Sequence, residues 1–353
     1  VRDLLRRLLT ERLEPGPAAA AVWLGIALGI IPIYGLQAVT ALALATVFRL
    51  NRPLTFAATF INNPLLQPLL VIGSLQLGHL AIHGSFVSLA PSELLASWGQ
   101  HLLALFLGSF ILSVLVGFPA AAAVFLFLVM RGASPGERAF RTEVDRRFAA
   151  TSFYSRGFVR WKTRLDRIFG LLLEEDLGTG TAADLGCGHG ATLALVAHRD
   201  PGRTLHGCDL DPDRVAAASR ALSDLDAHLS VGDARTFSLP EAGLLLIIDV
   251  LQYLDPAEQT ALLRRCAQAL APGGRLIFRL PDTRRGLLFW TTRLLDRLLL
   301  GLGRSGGRPT YQPPEAYVEL LGEAGLQVEA RRYRNRLPLA HTVFFARKLG
   351  GET

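Results

Sequence analysis

Between residues 15 and 130 the chain has almost no charge: Arg49, Arg52 and Glu93 are the only charged side chains there. A run so poor in charge excludes an ordinary water-facing surface over the first third of the sequence. Lysine is scarce throughout, with Lys162 and Lys348 alone, so the formal net charge of +7 rests on arginine. Cysteine is limited to Cys187, Cys208 and Cys266. Their spacing fits neither a disulfide framework nor a thiolate metal site, which suits a reducing compartment; no metal is expected. Basic patches interleaved with aromatics are missing too, so nucleic acid is not an expected partner.

What is present divides in two. Half of the 353 residues are hydrophobic, and the excess sits in the first 130. Pro17 to Phe48 is free of charge, too long for one ordinary span of about 20 residues and too short for two. Pro32 and Gly35 break it near the middle. A second uncharged block runs from Pro53 to Pro91, broken at Asn62-Asn63-Pro64. A third runs from Leu94 to Met130, with Gly117 and Pro119 as a kink. Gly25 and Gly29 form a small-xxx-small pair that lets helices approach closely. Gln37, Asn62, Asn63 and Gln67 are polar groups in apolar surroundings, serving either interhelical hydrogen bonds or a substrate path. Arg2, Arg6, Arg7 and Arg12 precede the apolar region, and Arg131, Arg138, Arg141, Arg146 and Arg147 follow it. Such flanks place both ends in the cytoplasm and require an even number of crossings, two or four. A basic collar on an anionic leaflet would look the same. The lipid bilayer is therefore an expected partner, and the apolar N-terminal run reads as a retained anchor rather than a cleaved signal.

The pattern Gly25, Gly29, Pro32, Gly35, Gln37, Asn51 and Asn63-Pro64 resembles a bacterial membrane family known mainly as a domain of unknown function, found alone or fused to transferases. The resemblance covers roughly residues 15–130 and carries no activity. The expected domains are a helical membrane domain over 1–131, a linker and lead-in helix over 132–150, and a catalytic domain over 151–353 with its core at 180–281.

From residue 181 onward strands and helices alternate. Strands are expected at Thr181–Leu185, Thr204–Cys208, His228–Val231, Gly243–Ile248 and Arg275–Leu280. Helices are expected at Ala191–His198, Pro212–Leu222 and Pro256–Ala271. This order predicts an α/β, Rossmann-like doubly wound parallel sheet with its ligand at the strand carboxyl ends, preceded by an all-α transmembrane domain. The turn after the first strand, Ala-Asp-Leu-Gly-Cys-Gly-His-Gly at 183–190, fits two ligand classes. Gly186, Gly188 and Ala191 satisfy the dinucleotide pattern, and Asp209 at the next strand end suits a ribose in either case. Against a dinucleotide stands Asp184, whose carboxylate suits a cofactor ammonium and would repel a pyrophosphate. Alternate glycines at 186, 188 and 190, Gly232-Asp233-Ala234 after the third strand, Asp249–Leu254 after the fourth and Ala271–Leu276 before the fifth complete the set.

Across 182–280 this set resembles the class I S-adenosylmethionine-dependent methyltransferases. The resemblance implies that Asp184 and the loop Gly186, Cys187, Gly188 and Gly190 hold the methionine end. The backbone does that work, and the side chains of Cys187 and His189 stand by. It further implies that Asp209 takes the ribose diol and Leu210 packs on the adenine. Asp233 then accepts from the adenine amino group, Ala234 lines the ring, and Asp249 lies near the sulfonium. Helix-capping roles for Asp209 and Asp249, and a turn role for Asp233, remain alternatives.

Methyl transfer needs alignment and exclusion of water more than it needs a base. Tyr253, in the loop after the fourth strand, is the catalytic candidate; His341 and Tyr311 are more distant ones. Residues 286–302 show a helical apolar pattern with Arg293, Asp296 and Arg297 on one stripe, as in a helix at a membrane interface or packed on the anchor or on a lid. The expected protein is a methyltransferase in a bacterial inner membrane, multi-pass, with its catalytic domain facing the cytoplasm and an amphiphilic or lipid-linked small-molecule acceptor. A transport or scaffold protein with a non-catalytic cofactor fold, or an NAD oxidoreductase, are the other readings.

Overall fold

The computed structural model describes residues 13–33, 35–88, 98–283, 286, 310–334 and 340–350. The expected apolar helix over 286–302 and the basic flank before residue 13 lie outside them, Gly286 excepted. The chain divides into two compact units, Val1–Gly132 and Ala133–Thr353.

The first unit is helical: α1 Pro15–Ile30, α2 Gln37–Val47, α3 Arg52–Ala58, α4 Gln67–His83 and α5 Trp98–Arg131. The breaks fall at the expected polar and proline positions. Asn51 caps α3 by accepting from Leu54 N at 2.8 Å. Asn63 is a local cap as well, its Oδ1 accepting from Leu65 N and Leu66 N. Pro119 lies inside α5, which is one continuous helix. Gly25 and Gly29 sit where backbones meet. A Cβ on Gly25 would lie 2.3 Å from Thr55 O, and one on Gly29 would lie 2.9 Å from Thr59 O. Val22, Ile26 and Ile30 of α1 pack with Leu112, Val116 and Ala120 of α5. Other large apolar side chains face outward, among them Val39, Val47, Phe48, Leu103, Phe118 and Phe127. Among the described residues one helix segment, His101–Arg131, is long and apolar enough to cross a membrane; α1 and α2 are shorter apolar helices.

The second unit opens with α6 Pro135–Arg147, in the region expected as linker and lead-in helix. Ser134 and Glu137 form a reciprocal capping box at its start. Helices α7 Phe153–Leu165 and α8 Ile168–Glu174 follow. A seven-stranded sheet comes next: β1 Ala182–Leu185, β2 Leu205–Asp209, β3 Ala227–Val231, β4 Ala242–Ile248, β5 Leu270–Pro281, β6 Leu326–Arg334 and β7 Ala340–Lys348. Helices α9 Ala191–Arg199, α10 Pro212–Ala221, α11 Pro256–Ala269 and α12 Pro314–Glu323 connect them. The order is β3-β2-β1-β4-β5-β7-β6. Strands β1 to β5 pair in parallel, whereas β7 runs antiparallel to both β5 and β6. The sheet is therefore mixed rather than wholly parallel. Alternation along β4 builds a core on each face. Leu244 and Leu246 join Phe140, Phe169, Leu172 and Leu195 on one side. Leu245 and Ile247 join Leu263, Cys266, Phe278 and Tyr317 on the other.

Candidate active site

The loop between β1 and α9 is held in shape by its own backbone. Gly186 N and Cys187 N both donate to Cys208 O, and Gly190 N donates to Cys187 O. Gly188 N donates to Asp209 Oδ2 at 2.9 Å. The glycines at 186 and 190 are required twice over. Their φ values are +82° and +81°, and an added Cβ would lie 2.2 Å from Val250 Cγ2 at the first and 2.9 Å from Ala218 Cβ at the second. The loop thus brings a bare backbone to the carboxyl end of the sheet.

Beneath it lies Asp184, 1% exposed, with Oδ1 lacking any hydrogen-bond partner. Burial pushes its carboxyl up to about 7, opposed by the ammonium of Lys162 and by a hydrogen bond with Thr192. A buried, half-satisfied carboxylate is costly unless a ligand completes it. The fitting partner is a cation with N–H donors. A pyrophosphate is a poor fit, because four loop N–H groups are already committed and a carboxylate stands below.

Asp209 ends β2. Its Oδ1 accepts from Asp211 N at 3.0 Å. Asp211, not Asp209, caps α10. Leu210 beside it is 66% exposed, an apolar face turned outward. Gly232 N donates to Asp209 O, so the third strand end is tied to the second. Asp233 is engaged by Arg235 through its backbone N and its guanidinium. That hydrogen bonding holds its carboxyl low. Arg235 also pairs with Glu258. Ala234 is buried at this edge.

Asp249 follows β4 with φ +62°, a left-handed conformation that non-glycine residues adopt chiefly under constraint. The constraint is Arg279, a buried guanidinium on β5. Its Nε donates to Asp249 Oδ1 at 2.6 Å and its Nη2 to Asp249 Oδ2. Arg279 Nη1 donates to both oxygens of Asp166 and to Tyr333 Oη. Burial alone would raise the Asp249 carboxyl, but Arg279 and then Lys162 hold it well below the usual carboxylate range. Lys162 Nζ is 3.6 Å from Asp249 Oδ2. His341, at the start of β7, stacks on Tyr333 with ring centroids 6.0 Å apart. It is buried, and its Nδ1 has no partner. Burial, with Arg279 nearby, lowers its pKa to about 4.

The expected site residues thus collect at one edge: Asp184 and the glycine loop, Asp209, Leu210, Asp233, Ala234 and Asp249. Tyr253 is half-buried on the short 3₁₀ turn Leu251–Tyr253 that follows Asp249. Tyr311 lies between Thr310, whose N donates to Gln252 O, and Gln312, which bonds Gln259. The thiol of Cys187 is buried and pushed up by that burial, so it stays a neutral part of the loop. His189, expected to stand by, is buried under α7. Its ring lies 4.9 Å from Phe158 and 6.1 Å from Tyr154, and burial lowers its pKa to about 4. Sequence reasoning missed Lys162, Asp166, Arg279 and Tyr333. One signal was available: Arg279 interrupts the apolar strand segment Leu276–Leu280.

Residues 182–274 match the family described as a methyltransferase domain. Residues 1–133 match one described as an uncharacterized protein conserved in bacteria (DUF2062). A trans-aconitate 2-methyltransferase of Rhizobium meliloti is 34% identical over 175 residues, covering 48% of this chain and 63% of the relative. A carboxy-S-adenosyl-L-methionine synthase of Chromohalobacter salexigens is 38% identical over 117 residues, covering 31% of this chain and 43% of the relative. The chain therefore spans less than two thirds of the length of these relatives. Among solved structures, an O-methyltransferase family protein from Burkholderia thailandensis aligns at 19% identity and TM-score 0.46 over 87% of each chain. A magnesium protoporphyrin IX methyltransferase from Synechocystis PCC 6803 with bound SAH aligns at 18% identity and TM-score 0.41, over 59% of this chain and 94% of that one. Residues 182–274 thus carry a methyltransferase domain similar to S-adenosylmethionine-dependent methyltransferases, and residues 1–133 match DUF2062.

Proposed function

We propose that this protein is a membrane-anchored, S-adenosylmethionine-dependent methyltransferase acting on an amphiphilic or lipid-linked small molecule. The observation that carries the catalytic half is Asp184: a buried carboxylate with an unpartnered oxygen under a glycine loop. It fits the ammonium of the cofactor's methionine end. In this reading Asp209 takes the ribose diol, Leu210 the adenine face, and Asp233 with Ala234 the ring edge. Asp233 reaches the adenine amino group once Arg235 shares its oxygens. Asp249 is assigned to the methyl-transfer end, with Tyr253 on the next turn.

When bound, the cofactor supplies an activated methyl group. This chain's residues supply the alignment. Loop glycines let the backbone come close, Arg279 fixes Asp249, and α7 closes over His189. Water exclusion falls to the aromatic side chains of α7. Phe153 is 87% exposed and Tyr154 70% exposed, apolar surface that an amphiphilic acceptor would cover.

The membrane half is supported by the charge-free sequence of residues 53–91, the outward apolar side chains of the first unit and the long apolar segment of α5. The basic flanks favour a bacterial cytoplasmic membrane, crossed more than once, with the second unit on the cytoplasmic side. A small soluble acceptor is the second reading, favoured by the 34% identity to a relative named for trans-aconitate.

The test uses the purified full chain in detergent. S-adenosylhomocysteine is titrated calorimetrically against wild type and Asp209→Ala. Labelled methyl transfer is then measured into bacterial lipid extract in liposomes and into soluble acids. Binding that is lost in the variant supports the cofactor site. Label in lipid supports the acceptor class, and label only in soluble acids moves the protein to the second reading.

A further inference from the structure

We propose that the acceptor presents an anionic oxygen, a carboxylate, which Lys162 and His341 bind and which attacks without surrendering a proton. This rests on the methyltransferase reading above and names the chemistry of its acceptor.

Five elements converge where the acceptor must approach. Asp166 comes from the turn after α7, Asp249 from the end of β4, Arg279 from β5, Tyr333 from β6 and His341 from β7. The two carboxylates and Tyr333 Oη are satisfied by Arg279, so this guanidinium has no spare capacity for a substrate. Two groups do have capacity. Lys162 Nζ stands 3.6 Å from Asp249 Oδ2, beyond hydrogen-bond length, and its side chain is 32% exposed. His341 is buried with Nδ1 unpartnered. An orphan nitrogen in a polar cluster signals a missing partner. In the Nδ1–H tautomer it donates to an oxygen, and Lys162 supplies the charge. Both interact electrostatically with Asp249, and His341 with Lys162 as well; a cation and a neutral donor so paired make a receptor for a carboxylate.

Among the described residues of this cluster none is a suitable base. Asp249 is ion-paired to Arg279 and Lys162. His341 faces Arg279 and Lys162 as well as Asp249 and Asp166, and it stays neutral down to about pH 4. An alcohol acceptor would need a proton removed; a carboxylate does not. The step balances. A carboxylate oxygen lone pair forms the new O–CH₃ bond, and the S–CH₃ bond breaks with its electron pair passing to sulfur. One negative and one positive charge become a neutral ester and a neutral thioether.

The experiment offers the full chain, in detergent, labelled cofactor with laurate, dodecanol or dodecylamine. S-adenosylhomocysteine affinity is measured on the same samples. Label is expected in laurate as a base-labile ester. Lys162→Met and His341→Phe should each raise KM for laurate about tenfold or more, with kcat changed less. Lys162→Arg and His341→Asn, which keep the charge and a donor near Nδ1, should recover most of that loss. Transfer to dodecanol or dodecylamine but not laurate overturns the proposal. So does cofactor binding with no transfer to laurate, or a loss confined to kcat. Absence of S-adenosylhomocysteine binding would instead remove the methyltransferase reading.

Discussion

Gly188 N donates to Asp209 Oδ2 at 2.9 Å, tying the loop after β1 to the end of β2. One carboxylate thus shapes the loop and, in the proposed reading, takes the ribose as well. Asp209→Ala removes both functions and leaves Asp211 N without its acceptor. Affinity for S-adenosylhomocysteine should fall at least about tenfold, the worth of one charge-assisted hydrogen bond. Asp209→Asn, which keeps one acceptor, should lose less. Calorimetric titration of the three proteins checks the order.

The glycines of that loop separate strain from space. Gly188 has φ +52°, yet an added Cβ would meet nothing nearer than Asp209 Oδ2 at 3.9 Å. Gly188→Ala should therefore cost about 1 kcal/mol, the strain of a left-handed alanine. Gly186→Ala adds a clash with Val250 to the same strain and should cost roughly 2–4 kcal/mol. Thermal unfolding of the two variants measures the difference. Equal losses would mean that Val250 yields.

Asp184 gives the protein a pH signature. Its carboxyl is raised to about 7 in the fold from an ordinary 3.8. A carboxyl raised by folding adds stability below its unfolded value and loses that contribution as pH climbs through the folded one. The ligand-free protein should lose stability from pH 4 to beyond 7, by on the order of a few kcal/mol. Asp184→Asn should flatten that slope. Binding of S-adenosylhomocysteine favours the ionised carboxylate, so affinity should rise between pH 6 and 7.5 in wild type and stay level in the variant. Melting temperatures and titrations across this range test both halves.

The parts legible in the sequence were those carried by short spacings. Asp184, the alternate glycines and Asp209 lie within one strand-turn-helix-strand unit, and local geometry places them. Asp166 meets Arg279 across 113 positions, and Tyr333 and His341 come from later strands still. No local pattern announces such a meeting. Strands β6 and β7 were missed for a related reason. Arg331, Arg332 and Arg334 interrupt the apolar alternation of β6, and the buried Val343, Phe344 and Ala346 of β7 are recognisable only once β5 is beside them. Asp233, expected to meet the adenine amino group, is engaged by Arg235 two residues on, a contact that the motif spacing does not announce.

Arg279 has two carboxylate partners in a buried setting, so removing it should be severe. Arg279→Met takes from Asp166 and Asp249 the buried guanidinium they share and should cost roughly 3–5 kcal/mol. Arg279→Lys keeps the charge but not the fork, and should recover only part. Adding Asp166→Asn to Arg279→Met removes one stranded charge and should restore some stability. Denaturant unfolding of the four proteins tests this. A double variant no more stable than the single one would show that Asp166 finds another partner.

In the first unit two glycines set how closely α4 and α5 approach. A Cβ on Gly78 would lie 1.7 Å from Ala104 O, and one on Gly108 would lie 1.7 Å from Ser74 O. Both meet backbone, which cannot swing aside as a side chain can. Such approach is how helices associate where no hydrophobic effect drives them together. Gly78→Val or Gly108→Val must push the helices apart, and the monodisperse yield in detergent should drop several-fold. Gly73→Ala, with Leu112 Cδ2 at 3.5 Å as its nearest neighbour, should be tolerated. Size-exclusion profiles of the full-length variants give the yield. Cofactor titration on the folded fraction should match wild type, because Gly78 and Gly108 lie in the first compact unit and the glycine loop in the second.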